Sequence, residues 1–349
     1  MADDNAAPRR PRRDPLLIDL ALQGGGSHGA FTWGVLDRLL EEEWPIIEGI
    51  SGTSAGAMNA AVMASGLATG GRETAREALT GFWRQVSEAA RFSPFKRGPL
   101  DMMLGRWTLD ASPAFIAMDI MARLVSPYAF GGFGGNPLGD ILNECVDFAA
   151  LKTGPVKLFI TATNVHTGQG RVFRKHEMSA DVLLASACLP SMYQAVEIEG
   201  VPYWDGGFAG NPTMTPLVRE CESNDTFIIQ INPVVRMETP RTAREIASRL
   251  NEISFNAPLL KELRAFALLR QIIDPGASEA RLWREMRLHR ITSDIMVKLG
   301  HSSKLNAEWA FLTMLRDEGR KAAEAFGRAH LQDVGVRSTF DVDSLLEGV

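Results

Sequence analysis

The chain has 349 residues, 45% of them hydrophobic and 23% charged, with a formal net charge of −5. That is the composition of an ordinary globular protein long enough for one large domain or two ordinary ones. The acidic balance argues against general nucleic-acid binding, and no window reaches the about 20 consecutive apolar residues that span a bilayer.

Cys145, Cys188 and Cys221 are odd in number and far apart, without Cys-x-x-Cys or Cys/His ligand spacing. This points to reduced thiols, a cytoplasmic setting and no structural metal. Residues 1–15, with Arg9, Arg10, Arg12 and Arg13, read as a disordered basic arm. The apolar run behind it, Leu16 to Leu22, is broken by Asp19 and closed by glycines, too short for a signal-peptide core. Contact with a membrane is therefore expected to be peripheral.

Leu16 to Leu22 is the first predicted strand, followed by the loop Gly24-Gly25-Gly26-Ser27-His28-Gly29 and a helix from about Ala30 to Glu43. Val35, Leu36, Leu39 and Leu40 give that helix its apolar face. Ile46 to Ser51 is a second strand. It runs into Gly52-Thr53-Ser54-Ala55-Gly56, and a small-residue helix leaves from Ala55 to Ala64. Strand, helix, strand, helix implies a parallel sheet with helices on its faces.

Glu73 to Ala90 is a further helix. Residues 92–135 form an irregular apolar insert in which Pro94, Pro99, Pro113 and Pro127 alternate with Met102, Met103, Trp107, Phe115, Met118, Met121 and Phe130. A Met-rich surface suits variable apolar ligands, although packing over the sheet is the plainer expectation. Strands follow at Val156 to Thr163 and Arg171 to Phe173, a helix at Asp181 to Ser186, and a strand at Thr226 to Ile231, halted by Asn232-Pro233. Residues 233–349 are predicted to be mainly helical cover, with a helix from about Ser303 to Ala329. Arg241, Arg244, Arg249, Arg264 and Arg270 can form a face toward an anionic membrane, yet interspersed Glu245, Glu252 and Glu262 favour a solvated face.

Gly52-Thr53-Ser54-Ala55-Gly56 is a Gly-x-Ser-x-Gly sequence between a strand and a helix, the setting of a nucleophile held on a strained turn. A serine hydroxyl needs a base to take its proton and aimed N–H donors for the oxyanion it creates. The Gly24 to Gly29 loop can supply the donors. It also fits Gly-x-Gly-x-x-Gly, but Glu48, the acid at nearly the spacing a ribose would need, precedes the end of its strand, which argues against dinucleotide binding.

For the base, His289, His301 and His330 follow the candidate acids in the chain order of α/β-hydrolases. None lies in a glycine-flanked turn, and His289 looks like a surface strand position. Asp205-Gly206-Gly207 is the better candidate, because two glycines allow the tight turn that brings a carboxylate to another loop.

The three motifs in this order resemble the patatin-like phospholipase family, and the resemblance covers about Leu16 to Asn232. Thr161-Ala162-Thr163-Asn164, Thr167-Gly168, Ala185-Ser186-Ala187-Cys188-Leu189-Pro190 and Asn211-Pro212 add to it. It implies a three-layer α/β/α sandwich with a mostly parallel central sheet in a catalytic domain of residues 16–232, with residues 233–349 as a helical extension packed on it.

It also implies lipid acyl hydrolysis without cofactor or metal. Ser54 is then the nucleophile, Asp205 the general base, Gly24, Gly25, Gly26, Ser27, His28 and Gly29 the oxyanion loop, and a lipid or other acyl ester the substrate. The chain departs from the family at His28, where Arg or Lys is usual. If a charge is needed there, activity should fall as His28 deprotonates. Two other readings stay open: a His-dependent α/β-hydrolase using His289 or His301, and a lipid-binding protein without catalysis.

Overall fold

The computed structural model describes residues 13–93, 95–129, 136–272 and 278–347. Most of the predicted basic arm, Pro94 and the stretch 130–135 that closes the insert lie outside the described residues.

Among the described residues the eight strands are β1 (Leu16–Leu22), β2 (Pro45–Gly52), β3 (Lys157–Asn164), β4 (Gly170–Arg174), β5 (Val196–Ile198), β6 (Val201–Asp205), β7 (Asp225–Ile229) and β8 (Arg287–Ile291). They form one sheet in the order β5-β6-β3-β2-β1-β7-β8, with β4 paired to β3. The run from β3 through β2, β1 and β7 to β8 is parallel, while β4, β5 and β6 add antiparallel pairs.

Alternation along each strand divides the apolar side chains between two cores. Ile18, Leu20, Leu22, Phe227 and Ile229 enter one; Ala21, Phe159 and Ile228 enter the other. Because both faces are covered, the strands read as continuous apolar runs. Helices α1 (Gly29–Leu40), α2 (Ala55–Gly70) and α3 (Arg72–Ala89), together with the helix Trp309–His330, bury their apolar sides in the first core. The helices Thr215–Glu220 and Ala243–Ile272 bury theirs in the second. The result is a three-layer α/β/α fold with a mostly parallel sheet.

The C-terminal region departs from expectation in two ways. Arg287–Ile291, where His289 reads as a surface strand position within a mainly helical region, is strand β8 and extends the parallel sheet beside β7. Its polar residues hid its burial, since His289 and Arg290 interrupt any apolar run. The last helix begins at Trp309 instead of Ser303, and His301–Leu305 forms a separate 3-10 turn.

The insert is also more ordered than its prolines imply. Pro99 and Pro113 sit in the first turns of short helices, Pro99–Met103 and Pro113–Leu124, where a missing N–H costs nothing. Leu109 and Phe115 are buried, but Met103 is 77% exposed and Leu124 76% exposed, so much of the insert is surface and not core. Arg249, weighed above as a membrane contact, turns onto Glu252. No described helix is long and apolar enough to cross a membrane.

Candidate active site

The loops that follow β1 and β2 meet at the carboxyl ends of the parallel strands, the usual place for a site in an open α/β sheet. Ser54 lies between the end of β2 and the start of α2, with φ 55° and ψ −123°. Non-glycine residues rarely hold such backbone angles, and the surrounding structure must enforce them. Two close approaches do so. A Cβ on Gly56 would run into the Leu22 carbonyl, and one on Gly24 would fall 2.7 Å from the Ser54 Cβ. The Ser54 N–H donates to Ser186 Oγ at 2.9 Å, and that hydroxyl donates to the Thr161 carbonyl at 2.7 Å. The positive end of α2 begins at Ser54.

Asp205 closes β6. Antiparallel pairing sets it opposite Ala162, near the carboxyl end of β3, so an antiparallel strand delivers its own last residue to the edge where Ser54 sits. Its N–H donates to the Cys188 carbonyl at 2.8 Å and its carbonyl accepts from Thr163 Oγ1 at 2.8 Å. Thr53 Oγ1 donates to the Gly210 carbonyl at 2.7 Å and stitches the serine turn to the Asp205 turn.

The Asp205 carboxylate is buried and accepts the Gly207 N–H at 2.7 Å, and the Ser54 side chain lies near enough to help hold it ionised. Burial pushes its pKa up from 3.8 to about 6, against the pull of the Gly207 N–H, Ser54 and the positive charge of Lys304. A carboxylate at that value is ionised near neutrality and still basic enough to take a proton.

In the glycine loop, the Gly24 N–H is taken by Asn211 Oδ1 at 2.7 Å. The His28 N–H turns back to the Gly25 carbonyl, and the Gly29 N–H to the Gly26 and Ser27 carbonyls. Among the described residues the N–H groups of Gly25, Gly26 and Ser27 have no partner. They remain available to a ligand oxygen.

His28 is withdrawn from solvent. The ring is buried, 2.8 Å from Ser303 Oγ and edge-on to Phe311. Burial, reinforced by Lys304, His301 and Arg236, holds its pKa well below the usual histidine range. That disfavours a charge on His28 and weighs against a switch set by its deprotonation near neutral pH.

His289 is not at the surface either. It is fully buried on β8, with Nε2 3.0 Å from Asp225 Oδ1 and Nδ1 3.0 Å from Thr339 Oγ1. Asp225 begins β7, whereas Ser54 follows the far ends of the same parallel strands, about 13 Å along the sheet at 3.3 Å per residue. Burial pushes the His301 pKa down to about 4, and His330 lies beside Asp333 at 3.5 Å. Among the described residues no histidine is hydrogen-bonded to Ser54.

Glu48 accepts from Lys157 Nζ at 2.7 Å and from the Glu222 and Ser223 amides, away from the glycine loop. The fold brings Cys221 together with Asp19 and Glu48, a group with the spread of a metal site that sequence spacing does not reveal. Lys157 already supplies the positive charge on its Glu48 side.

Several residues around the site gave little or no warning. Ser186 and Asn211 lie in segments that contribute to the resemblance, without an assigned role. Asn232 was a strand stop, and Phe255 and Lys304 carried no signal at all. Asn232 Nδ2 donates to the Gly24 carbonyl at 2.8 Å, Lys304 Nζ donates to Asn232 Oδ1 at 2.8 Å, and Phe255 packs against Gly207.

The fold and this geometry define an α/β protein with a serine on a strained turn facing a buried carboxylate. The profile of the patatin-like phospholipase family matches residues 20–218, more than half of the chain, and the chain belongs to that family of lipid acyl hydrolases. No curated protein matches it. Among solved structures it is similar to VipD from Legionella pneumophila, at 15% identity and a TM-score of 0.36, over 88% of this chain and 67% of that one. It is similar also to the type III effector ExoU, at 15% identity and a TM-score of 0.35, over 91% of this chain and 53% of that one. The chain thus spans about half the length of ExoU. Likeness at that level adds nothing to the geometry of the site.

Proposed function

We propose that the protein hydrolyses carboxylic esters of lipids through an acyl-enzyme on Ser54. Asp205 takes the hydroxyl proton as Ser54 Oγ bonds to the ester carbonyl carbon. The carbonyl oxygen becomes an oxyanion held by the Gly25, Gly26 and Ser27 amides and favoured by the positive end of α2. Collapse breaks the ester C–O bond, and Asp205 returns the proton to the departing alcohol oxygen. Water, deprotonated by Asp205, then attacks the acyl carbon, and Ser54 leaves with that proton as the fatty acid is released.

The observation that carries this reading is the proximity of Ser54 to a buried carboxylate whose pKa lies at about 6, beside amides that have no other partner among the described residues. Exposed apolar side chains on the insert, Met103 and Leu124 among them, fit a lipid ligand. The buried pairing of His289 with Asp225 weighs against a histidine-dependent triad.

The test is fatty-acid release from phospholipids, monoacyl lipids and p-nitrophenyl esters, with fluorophosphonate labelling in parallel. Ser54→Ala and Asp205→Asn should each lower turnover by at least about 10⁴-fold, because nucleophile and base act as a unit, and Ser54→Ala should abolish labelling. A folded protein that neither labels nor releases acid would instead favour lipid binding without catalysis.

A further inference from the structure

Lys304 lies in the turn His301–Leu305, far outside the family match at residues 20–218, yet it touches the site in two ways. Its backbone abuts the glycine loop: a Cβ on Gly26 would stand 2.5 Å from the Lys304 carbonyl oxygen. Its side chain reaches over the Phe255 ring, 5.8 Å from the centroid, and donates to Asn232 Oδ1 at 2.8 Å.

The second contact reinforces how Asn232 is used, from the end opposite the Gly24 carbonyl, which can only accept. An amide side chain has an acceptor end and a donor end of nearly equal shape, and only its partners choose between them. An ammonium can only donate. With Lys304 on Oδ1, the NH₂ end of buried Asn232 is fixed toward the Gly24 carbonyl at 2.8 Å and Gln23 Oε1 at 3.3 Å. Gly24 is then held at both polar groups, its N–H by Asn211 and its carbonyl by Asn232. Gly24 leads directly into the amides of Gly25, Gly26 and Ser27.

The charge matters as well. Lys304 and Asp205 attract one another electrostatically. The other groups that act on Lys304 or that it acts on are Glu252, Arg236, His28 and His301, and Glu252 is itself paired with Arg236 and Arg249. Cys188 is the further titratable neighbour of Asp205.

We propose that Lys304 is a positioning residue for the Ser54–Asp205 site, orienting Asn232 so that the glycine loop is held from Gly24 and placing a positive charge toward the Asp205 carboxylate. This rests on the function proposed above, so the experiment has one arm that needs turnover and one that does not.

In the first arm, kcat and KM for a p-nitrophenyl ester are measured against pH for the full chain, Lys304→Met and Lys304→Arg. Lys304→Met should lose about 10- to 100-fold in kcat, the scale of a slightly displaced site, with KM changed little and the acid limb moved up by about one pH unit. Lys304→Arg should bring the acid limb back toward that of the parent. In the second arm, Asp205 is titrated directly by carboxyl-carbon NMR in the same three proteins, and its midpoint should rise in Lys304→Met whether or not the ester is turned over. Unchanged kcat and an unchanged Asp205 midpoint in folded Lys304→Met would overturn the proposal. A parent protein without turnover whose Asp205 midpoint still responds to Lys304→Met would overturn the hydrolase reading and support the electrostatic role of Lys304.

Discussion

Two aspartates, Asp205 and Asp225, are equally buried, at 1% exposure each, and have been put to opposite ends. Asp225, at the start of β7, accepts from Arg287 Nη2 at 2.7 Å, from His289 Nε2 at 3.0 Å and from the Gly335 N–H at 2.7 Å. Burial opposes its ionisation, but these hydrogen bonds overcome it and bring the pKa down to about 2. Asp205 has one backbone N–H, the Ser54 hydroxyl and a more distant lysine, and burial wins, bringing it to about 6. A carboxylate surrounded by donors is a fixed anion that pins strands together. One left short of donors at a sheet edge stays hungry for a proton. The Asp–His pair that looks most like part of a triad is therefore the one surrounded by donors.

The largest effect expected from this contrast is on folding. Asp225 ionises more readily in the fold than at its ordinary 3.8, so its stabilising contribution is full above about pH 4 and drains away as pH falls through about 2. Asp225→Asn should cost about 3–5 kcal/mol at pH 7, the cost of stranding Arg287 beside a neutral partner, and far less near pH 2. Urea unfolding at both pH values measures it, and an unchanged midpoint at pH 7 would break the contrast. Turnover per folded molecule should survive Asp225→Asn and His289→Ala.

The next effect has the opposite sign. Because the folded pKa of Asp205 lies above 3.8, the fold holds a proton that the unfolded chain has released. Stability therefore falls as pH rises from about 4 to about 6, and the ionised carboxylate costs on the order of 3 kcal/mol at neutral pH. Asp205→Asn should melt higher than the parent at pH 8 and alike at pH 4, while lacking turnover. A variant less stable than the parent at pH 8 would show that Asp205 is a structural anion like Asp225.

The smallest expected effect is on the shape of the pH profile. The acid limb of kcat/KM should fall near pH 6, where Asp205 takes up its proton, and His28→Ala should leave that limb in place, since His28 is already neutral there. A limb that vanished with His28→Ala would transfer the titration from the carboxylate to the histidine.

Much of this arrangement was legible in the sequence because it depends on short stretches of chain. The glycines around Ser54, the loop from Gly24 to Gly29 and the turn after Asp205 announce backbone that must bend sharply or approach closely, and the apolar runs into Leu22 and Gly52 announce buried parallel strands. Strand β8 reads only as a surface strand because His289 and Arg290 break the apolar run that marks its neighbours. His289 reads as a surface residue for the same reason, since nothing within Arg287 to Ile291 reveals that Asp225 and Thr339 wait on either side of its ring.

By itself the sequence determined which backbone turns are present and the order in which they occur, since steric demands of glycine and serine turns act over a few residues. Only the tertiary structure decided what the charged groups do. A pKa answers to burial and to partners brought from other segments, and those partners, Gly207 and Lys304 for one aspartate, Arg287, His289 and Gly335 for the other, meet only when the sheet has closed around them.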